Sequence, residues 1–478
     1  MAYTSRRTLL KGIAVTSLAP SLLTACQRPD SARSPDAWQM AQQIRQRIQA
    51  PIIPTQEFDV RQFGALGDGK HDSSDAIRKA IQVASAAGGG RVLIPEGIFV
   101  TGPIHLEDNI ELHVTQQATL KFVTDPDRYL PAVLTRWEGV ELMGLSPLIY
   151  AHGKKNIAVT GGGTLDGSAD EETWWPWKWA ETADNPHTQH PARAALFSDA
   201  ENGVPVADRL YAKEAYLRPP FIQFYACDRI LIEDVTIKES PFWLINPVLS
   251  SNITVRGVTC HSYGPNNDGC NPESCTDVLI ENCLFDTGDD CIAIKSGRNA
   301  DGRRINAPSQ NIIVANCNMK AGHGGVVMGS ELSGGIENVF VENCQMSSPE
   351  LWSSIRIKTN AMRGGFVRNI NVRNIDIGTV RDMLLINFYY EEGLDGDFVP
   401  DVRNVQIQNV HCANAQRILN VRGFKHAKIN DLTLENVTID HAAKPSIVEN
   451  VGNVSLKNMK VDGKSIQQLT DLATEPAA

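Results

Sequence analysis

The sequence predicts an all-β fold, a right-handed parallel β-helix with an N-terminal capping helix. Three observations carry this. A short phrase recurs from Asp228 onward, as "DRILIEDVTI", "SNITVRGVTC", "TDVLIENCLF", "QNIIVANCNM", "ENVFVENCQM", "RNINVRNIDI", "RNVQIQNVHC", "NDLTLENVTI" and "GNVSLKNMKV". Each copy sets Asn or Asp near its head, before apolar residues that alternate with the period of a strand. The copies lie about 22 to 35 residues apart, within the range of solenoid arrays. Gly, Asn, Asp and Pro fill the intervals, with no helical period.

Stacked coils of this kind bury Val, Ile, Leu and Cys in inward ladders and pair each strand with the coils above and below. "ENC", "ANC" and "ENC" put Cys283, Cys317 and Cys344 at matching places, so these are expected as small buried hydrophobes. A metal site is disfavoured, because like residues in a ladder do not make a tetrahedral cysteine set. The start of the fold, "FDVRQFGALGDGKHDSSDAIRKAIQVASAAGGGRVLIPEGIFVTGPIHL", reads strand, Gly-rich turn, helix, Gly stop, strand. The helix is predicted to begin near Ser74, capped by Asp72 or Ser73, and to stop at Gly88, Gly89 and Gly90. It would cover strand edges that a solenoid otherwise exposes. The β-helix is expected over residues 56–464, followed by a polar, frayed tail over 465–478.

A chain of 478 residues is long for one compact core, unless the fold grows by repetition. The formal net charge of −10 argues against general affinity for nucleic acid or anionic membrane. A polyanionic substrate therefore requires positive charge concentrated locally. Residues 1–26 read as a twin-arginine export signal, with Arg6 and Arg7 before an apolar run too short to span a membrane. It ends in Leu-Thr-Ala-Cys, which resembles a bacterial lipoprotein cleavage box with Cys26 as the lipid-bearing residue. A tether and N-terminal segment follows over 27–55. The expected location is the periplasm, or the outer membrane through the lipid anchor. Export in a folded state from a reducing cytoplasm argues against a disulfide framework.

Four turn regions break the repeat with unusual polar content. They are "GPNNDGCNPE" with Asp268, "DTGDDCIAIKSG" with Asp289 and Asp290, "AGHGGVVMGSE" with His323, and "IRIKTN" with Arg356 and Lys358. Asp268 and Asp289 are about one coil apart. Asp289 and His323 each follow their ladder cysteine by six residues, so they are expected at matching sites on coils about 4.8 Å apart. Three coils then set Asp268, the Asp289–Asp290 pair and His323 in one column. Strand alternation adds Arg356 and Lys358 on one face of a fourth. Singly, each motif is an ordinary turn or a solvated strand face; in register, the four are much harder to dismiss. Glycoside cleavage needs one carboxylic acid to protonate the leaving oxygen and one carboxylate to activate water. Crowded carboxylates raise one another's pKa. Arg and Lys suit the carboxylate of an acidic sugar.

On these motifs the sequence resembles the polygalacturonases and their relatives in glycoside hydrolase family 28. The family's Asn-Thr-Asp, Gly-Asp-Asp, Gly-His-Gly and Arg-Ile-Lys match "NND" at Asn266 to Asp268, "GDD" at Gly288 to Asp290, "GHG" at Gly322 to Gly324 and "RIK" at Arg356 to Lys358. Asn267 stands where Thr or Ser is usual and keeps a polar side chain. The resemblance implies a pectin-lyase-like solenoid that hydrolyses α-1,4-galacturonan with inversion and without metal or cofactor. It implies Asp289 as general acid, Asp268 and Asp290 as holders of the attacking water, and His323 as support for the acid's proton. Arg356, Lys358 and Asn266 would bind substrate, together with Tyr390, for which Tyr389 is the rival.

Residues 168–217 form an insertion dense in Trp174, Trp175, Trp177 and Trp179. Two readings stay open, a stacking wall for sugars and a small satellite core. A loop closing one end of the cleft would make the enzyme cut from chain ends, which is the preferred reading. Lys295, Arg298, Arg303 and Arg304 either add positive charge beside the cleft or form an exposed basic loop. The expected partner is galacturonan or its oligomers, taken by a monomer that binds no nucleic acid. The competing readings are a Ca²⁺-dependent pectate lyase and a non-catalytic carbohydrate-binding β-helix.

Overall fold

The structure, a computed structural model, describes residues 36–476. Its 27 principal strands join in one continuous sheet wound into coils, in which strands of successive coils pair in parallel. Parallel crossovers of this kind are right-handed. The recurring phrase explains the winding. Ile230, Ile253, Val278, Ile312, Val339, Ile370, Val405 and Leu432 are register partners on successive coils, and all are buried. Cys283, Cys317 and Cys344 are buried too, and the cysteines from Cys227 to Cys412 are free thiols in the core.

The Asn or Asp near the head of most phrases fixes the corners. Asn311, Asn338, Asn369 and Asn404 have φ between +56° and +60°, a left-handed conformation that Asn tolerates better than most residues. Their side-chain amides donate to the coil below, at 3.0 Å (Asn311 to Asp277), 3.2 Å (Asn338 to Asn311), 3.0 Å (Asn369 to Asn338) and 2.7 Å (Asn404 to Asn369). A second column runs through Asn343, Asn374, Asn409, Asn436 and Asn458.

Helix α1 (Ala37–Arg47) lies on the outside of the sheet. Ala41 and Ile44 bury against Leu279, Ile313, Ala315 and Phe340, and Arg45 and Arg47 pair with Glu281 and Asp277 at 2.5 and 2.6 Å. The segment expected as a tether over 27–55 is therefore bound to the solenoid from residue 37. Helix α2 (Ser74–Ala86) packs on the first coils through Ile77, Ala80, Ile81 and Ala84. Its cap is Asp72, whose Oδ1 accepts from the Ser74 amide at 3.0 Å, while the Ser73 side chain makes no capping bond. Helix α3 (His190–Glu201) belongs to the insertion, and α4 (Asn299–Ile305) follows one rung of the site. The tail is not frayed through residue 476. Lys464–Ile466 pairs antiparallel with Val454–Val461, and Ile466 and Leu472 are buried, which closes the last coil. Its polar composition hid these two apolar anchors.

Candidate active site

Successive coils bring the four motifs together, in two neighbouring columns rather than the single one expected. Ile292 pairs with Val326 and Cys270 bridges to Ile292. That register sets Asp289 against His323 and Asp268 against Asp290. Backbone bonds tie the rungs, from the Gly269 amide to the Asp290 carbonyl (3.0 Å) and from the His323 amide to that of Asp289 (3.2 Å). The glycines of the motifs are spacers. A Cβ on Gly288 would lie 2.6 Å from the Tyr263 and Gly264 backbone, and one on Gly322 would lie 2.6 Å from the Asp289 carbonyl.

Carboxylate oxygens of Asp268, Asp289 and Asp290 lie within 4.8 Å of one another. Three cations and an imidazole surround them. Lys358 Nζ is 2.7 Å from Asp290 Oδ2, Arg356 is 3.5 Å from Asp290 Oδ1, Lys295 Nζ is 3.7 Å from Asp268 Oδ2, and His323 Nδ1 is 2.8 Å from Asp289 Oδ1. Burial, reinforced by the neighbouring charges of Asp289 and Asp290, pushes the Asp268 carboxyl well above its ordinary value. Burial pushes Asp289 the same way. There the hydrogen bond and charge of His323, with Lys358 and Lys295 behind, outweigh it and hold the carboxyl below its ordinary value. In this site the raised carboxyl is thus Asp268, not Asp289. The cluster suits a divalent cation poorly. Ca²⁺ takes six to eight oxygens, whereas here three ammonium and guanidinium groups already approach the oxygens.

The other expected residues divide clearly. Tyr390 lines the pocket, its ring 5.2 Å from Lys358 Nζ, whereas Tyr389 packs on Phe424 outside it. Asn266 reaches the pocket edge and accepts from Arg218 at 2.8 Å. Asn267 is buried and uses both ends of its amide. Its Oδ1 accepts from the Ser262 hydroxyl and the Gly264 amide, and its Nδ2 donates to the Ser240 and Phe242 carbonyls. Ser or Thr has a single donor and cannot make this set. Lys295 lines the pocket and Arg298 lies buried behind it on Glu331. Arg303 and Arg304 turn elsewhere, toward Phe398 and toward Glu141 and Asp301.

Of the insertion's tryptophans, Trp174 and Trp177 are buried in the main core, and Trp175 packs beside them with its Nε1 on the Ser240 carbonyl at 2.9 Å. Only Trp179 is exposed at the pocket. A satellite core does form, from Leu196 and Ala200 of α3 with Trp137, Phe242 and Trp243.

The pocket holds about 540 Å³ and is walled by the insertion through Glu171, Lys178, Trp179 and Arg193. An adjoining groove of about 700 Å³ runs past Asp286, Lys320 and Glu350. The two share Tyr263, Gly288, His323 and Trp352, so the Asp289–His323 pair sits at their junction. Sequence reasoning missed Trp352, Glu331 and Arg218. Trp352 follows Cys344 by eight residues rather than six, because the turn at Ser347 and Ser348 is longer, and that broke the count. Arg218 is fully buried, and desolvation lowers its pKa to about 9. It holds the turn before Asp268 by donating to the Pro241 and Pro265 carbonyls at 3.0 and 2.6 Å.

A parallel β-helix carrying three carboxylates, an imidazole and a basic pair in one cleft defines a polysaccharide-cleaving enzyme of the hydrolase type. The chain belongs to glycoside hydrolase family 28. Residues 209–466 match the model for glycosyl hydrolases family 28, and residues 58–121 match that for rhamnogalacturonase A/epimerase, pectate lyase-like. Among solved structures it is similar to a hyperthermoactive exopolygalacturonase from Thermotoga maritima, with 42% identity, a TM-score of 0.86, and coverage of 90% of this chain and 96% of that one. It is 28% identical to a probable polygalacturonase of Vitis vinifera, over 80% of this chain and 74% of that protein. It is 26% identical to an exo-poly-alpha-D-galacturonosidase of Dickeya chrysanthemi, over 87% and 69%.

Proposed function

We propose that this glycoside hydrolase cleaves α-1,4-galacturonosyl linkages of polygalacturonan from chain ends, with inversion. The observation that carries this is the junction: a pocket walled by the insertion on one side of Asp289–His323, an adjoining groove on the other. A volume of about 540 Å³ suits a short chain end, and the groove takes the remaining polymer. Asp289, less buried than Asp268 or Asp290, donates a proton held between it and His323 to the leaving oxygen as the C1–O bond breaks. Water attacks C1 and gives its proton to Asp268, the carboxylate made the stronger base by its raised pKa. Asp290, held by Lys358 and Arg356, orients that water, and the same two cations face the sugar carboxylate with Tyr390. The spacing rule for two carboxylates does not decide the stereochemistry, because three share the site.

The sizes of products from polygalacturonate over time test this. Short products of one length from the first minutes are expected, and an early ladder of oligomers would overturn exo action. We also propose export by the twin-arginine route and lipid attachment at Cys26, which lies outside the described residues; Arg6-Arg7 and Leu-Thr-Ala-Cys support it. Metabolic labelling with palmitate, lost in Cys26→Ala, is the check. The protein acts as a monomer in this reading, which sedimentation checks.

A further inference from the structure

The insertion brings one more charged group into the pocket it walls. Lys178 ends the short turn Trp175–Lys178 and lines the pocket beside Trp179, a residue that is 53% exposed. The other cations of the lining each have a carboxylate partner: Arg193 with Glu138 at 2.8 Å, Lys295 with Glu331 at 3.0 Å, and Arg356 and Lys358 with Asp290. Among the described residues Lys178 has no carboxylate within ion-pair distance, although Glu138 acts on it at longer range. Its base is nevertheless fixed. The His190 imidazole donates to the Lys178 carbonyl at 2.9 Å, Trp177 is buried in the core, and Trp175 is bonded to Ser240. A half-buried ammonium with no ion-pair contact, on a fixed turn, is a seat for an anion.

Building on the galacturonan reading, we propose that Lys178 binds the carboxylate of the chain-terminal uronate, with Trp179 packed on its ring. The terminal unit thereby lies beyond the one held at Arg356 and Lys358, and the insertion reads the charge of the chain end as well as blocking the cleft.

The test compares wild type, Lys178→Met and Lys178→Arg on trigalacturonate and on two analogues, each with the carboxyl of one terminal unit reduced to the alcohol. Wild type is expected to lose about five- to tenfold in kcat/KM on one analogue. Lys178→Met should lose the same factor on unmodified trigalacturonate, through KM, with kcat and Tm unchanged, and should no longer distinguish that analogue. Lys178→Arg should recover most of the loss. A Lys178→Met enzyme with wild-type kcat/KM, or one that still discriminates as wild type does, would overturn the proposal. Wild type inert on trigalacturonate itself would instead overturn the underlying reading, and this proposal with it.

Discussion

The imidazole of His323 lies flat on the indole of Trp352, with ring centroids 3.8 Å apart and planes at 19°, while its Nδ1 reaches Asp289 at 2.8 Å. The far contact of the indole is the Arg381 guanidinium at 4.9 Å. The two rings come from successive coils, so the ladder of strand bonds holds the imidazole against the acid. Trp352→Leu is expected to lower kcat about tenfold by freeing His323, with Trp352→Phe recovering most of it. Steady-state kinetics beside a thermal melt checks this, since the Tm should stay within a few degrees.

Removing the proposed acid itself should cost more. Asp289→Asn keeps the shape and the contact to His323 but has no proton to give, so kcat should fall by about 10²- to 10⁴-fold. Reducing-end release from polygalacturonate reads the rate, and circular dichroism reads the fold.

The pH dependence follows from Asp268. Its folded pKa lies well above the unfolded value of about 3.9. Below that folded pKa it is protonated and cannot accept from water, so the acid limb of kcat/KM should stand above the usual carboxylate range. The folded chain also binds this proton more tightly than the unfolded chain. The stabilisation from Asp268 is therefore full below about pH 3.9 and is lost as pH rises through the folded value. Asp268→Asn should lose activity at every pH and gain Tm relative to wild type as pH rises. Parallel Tm curves for the two would count against this assignment.

Stereochemistry is directly observable. In the proposed mechanism water held by Asp268 and Asp290 attacks opposite the bond that Asp289 protonates, so the first product released from the α-linkage should be the β-anomer. Proton NMR within the first minutes, before mutarotation, shows which anomer forms.

The winding and the motifs were legible because both are periodic. Asn-headed alternation marks each coil, and the six-residue step from Cys283 and Cys317 found the rungs of Asp289 and His323. What escaped lies where the period breaks. Trp352 follows a longer turn, Arg218 is brought in from the insertion's end, and residue identity alone could not divide four tryptophans between core and pocket. The two columns in place of one reflect a side-by-side placement of Asp289 and Asp290 that sequence spacing does not resolve.

Helix α1 escaped for another reason: its few apolar residues face an outer sheet patch that no local pattern announces. Ile44→Ala should weaken its docking by about 2–4 kcal/mol. Hydrogen exchange and protease cleavage around residues 37–48 should rise while kcat stays at the wild-type value. Loss of activity in the intact variant would give α1 a role at the site.

The backbone ladder has an evolutionary consequence. Because each strand is bonded in parallel to the coil beneath it, a length change in a connecting loop does not propagate into the phase of the next rung. The segment from 168 to 217 lengthens one connection by tens of residues, yet Thr236–Lys238 still meets Thr164–Asp166 in register. Descendants of this scaffold are thus free to rewrite the walls of the cleft without disturbing the alignment of the acids on its floor.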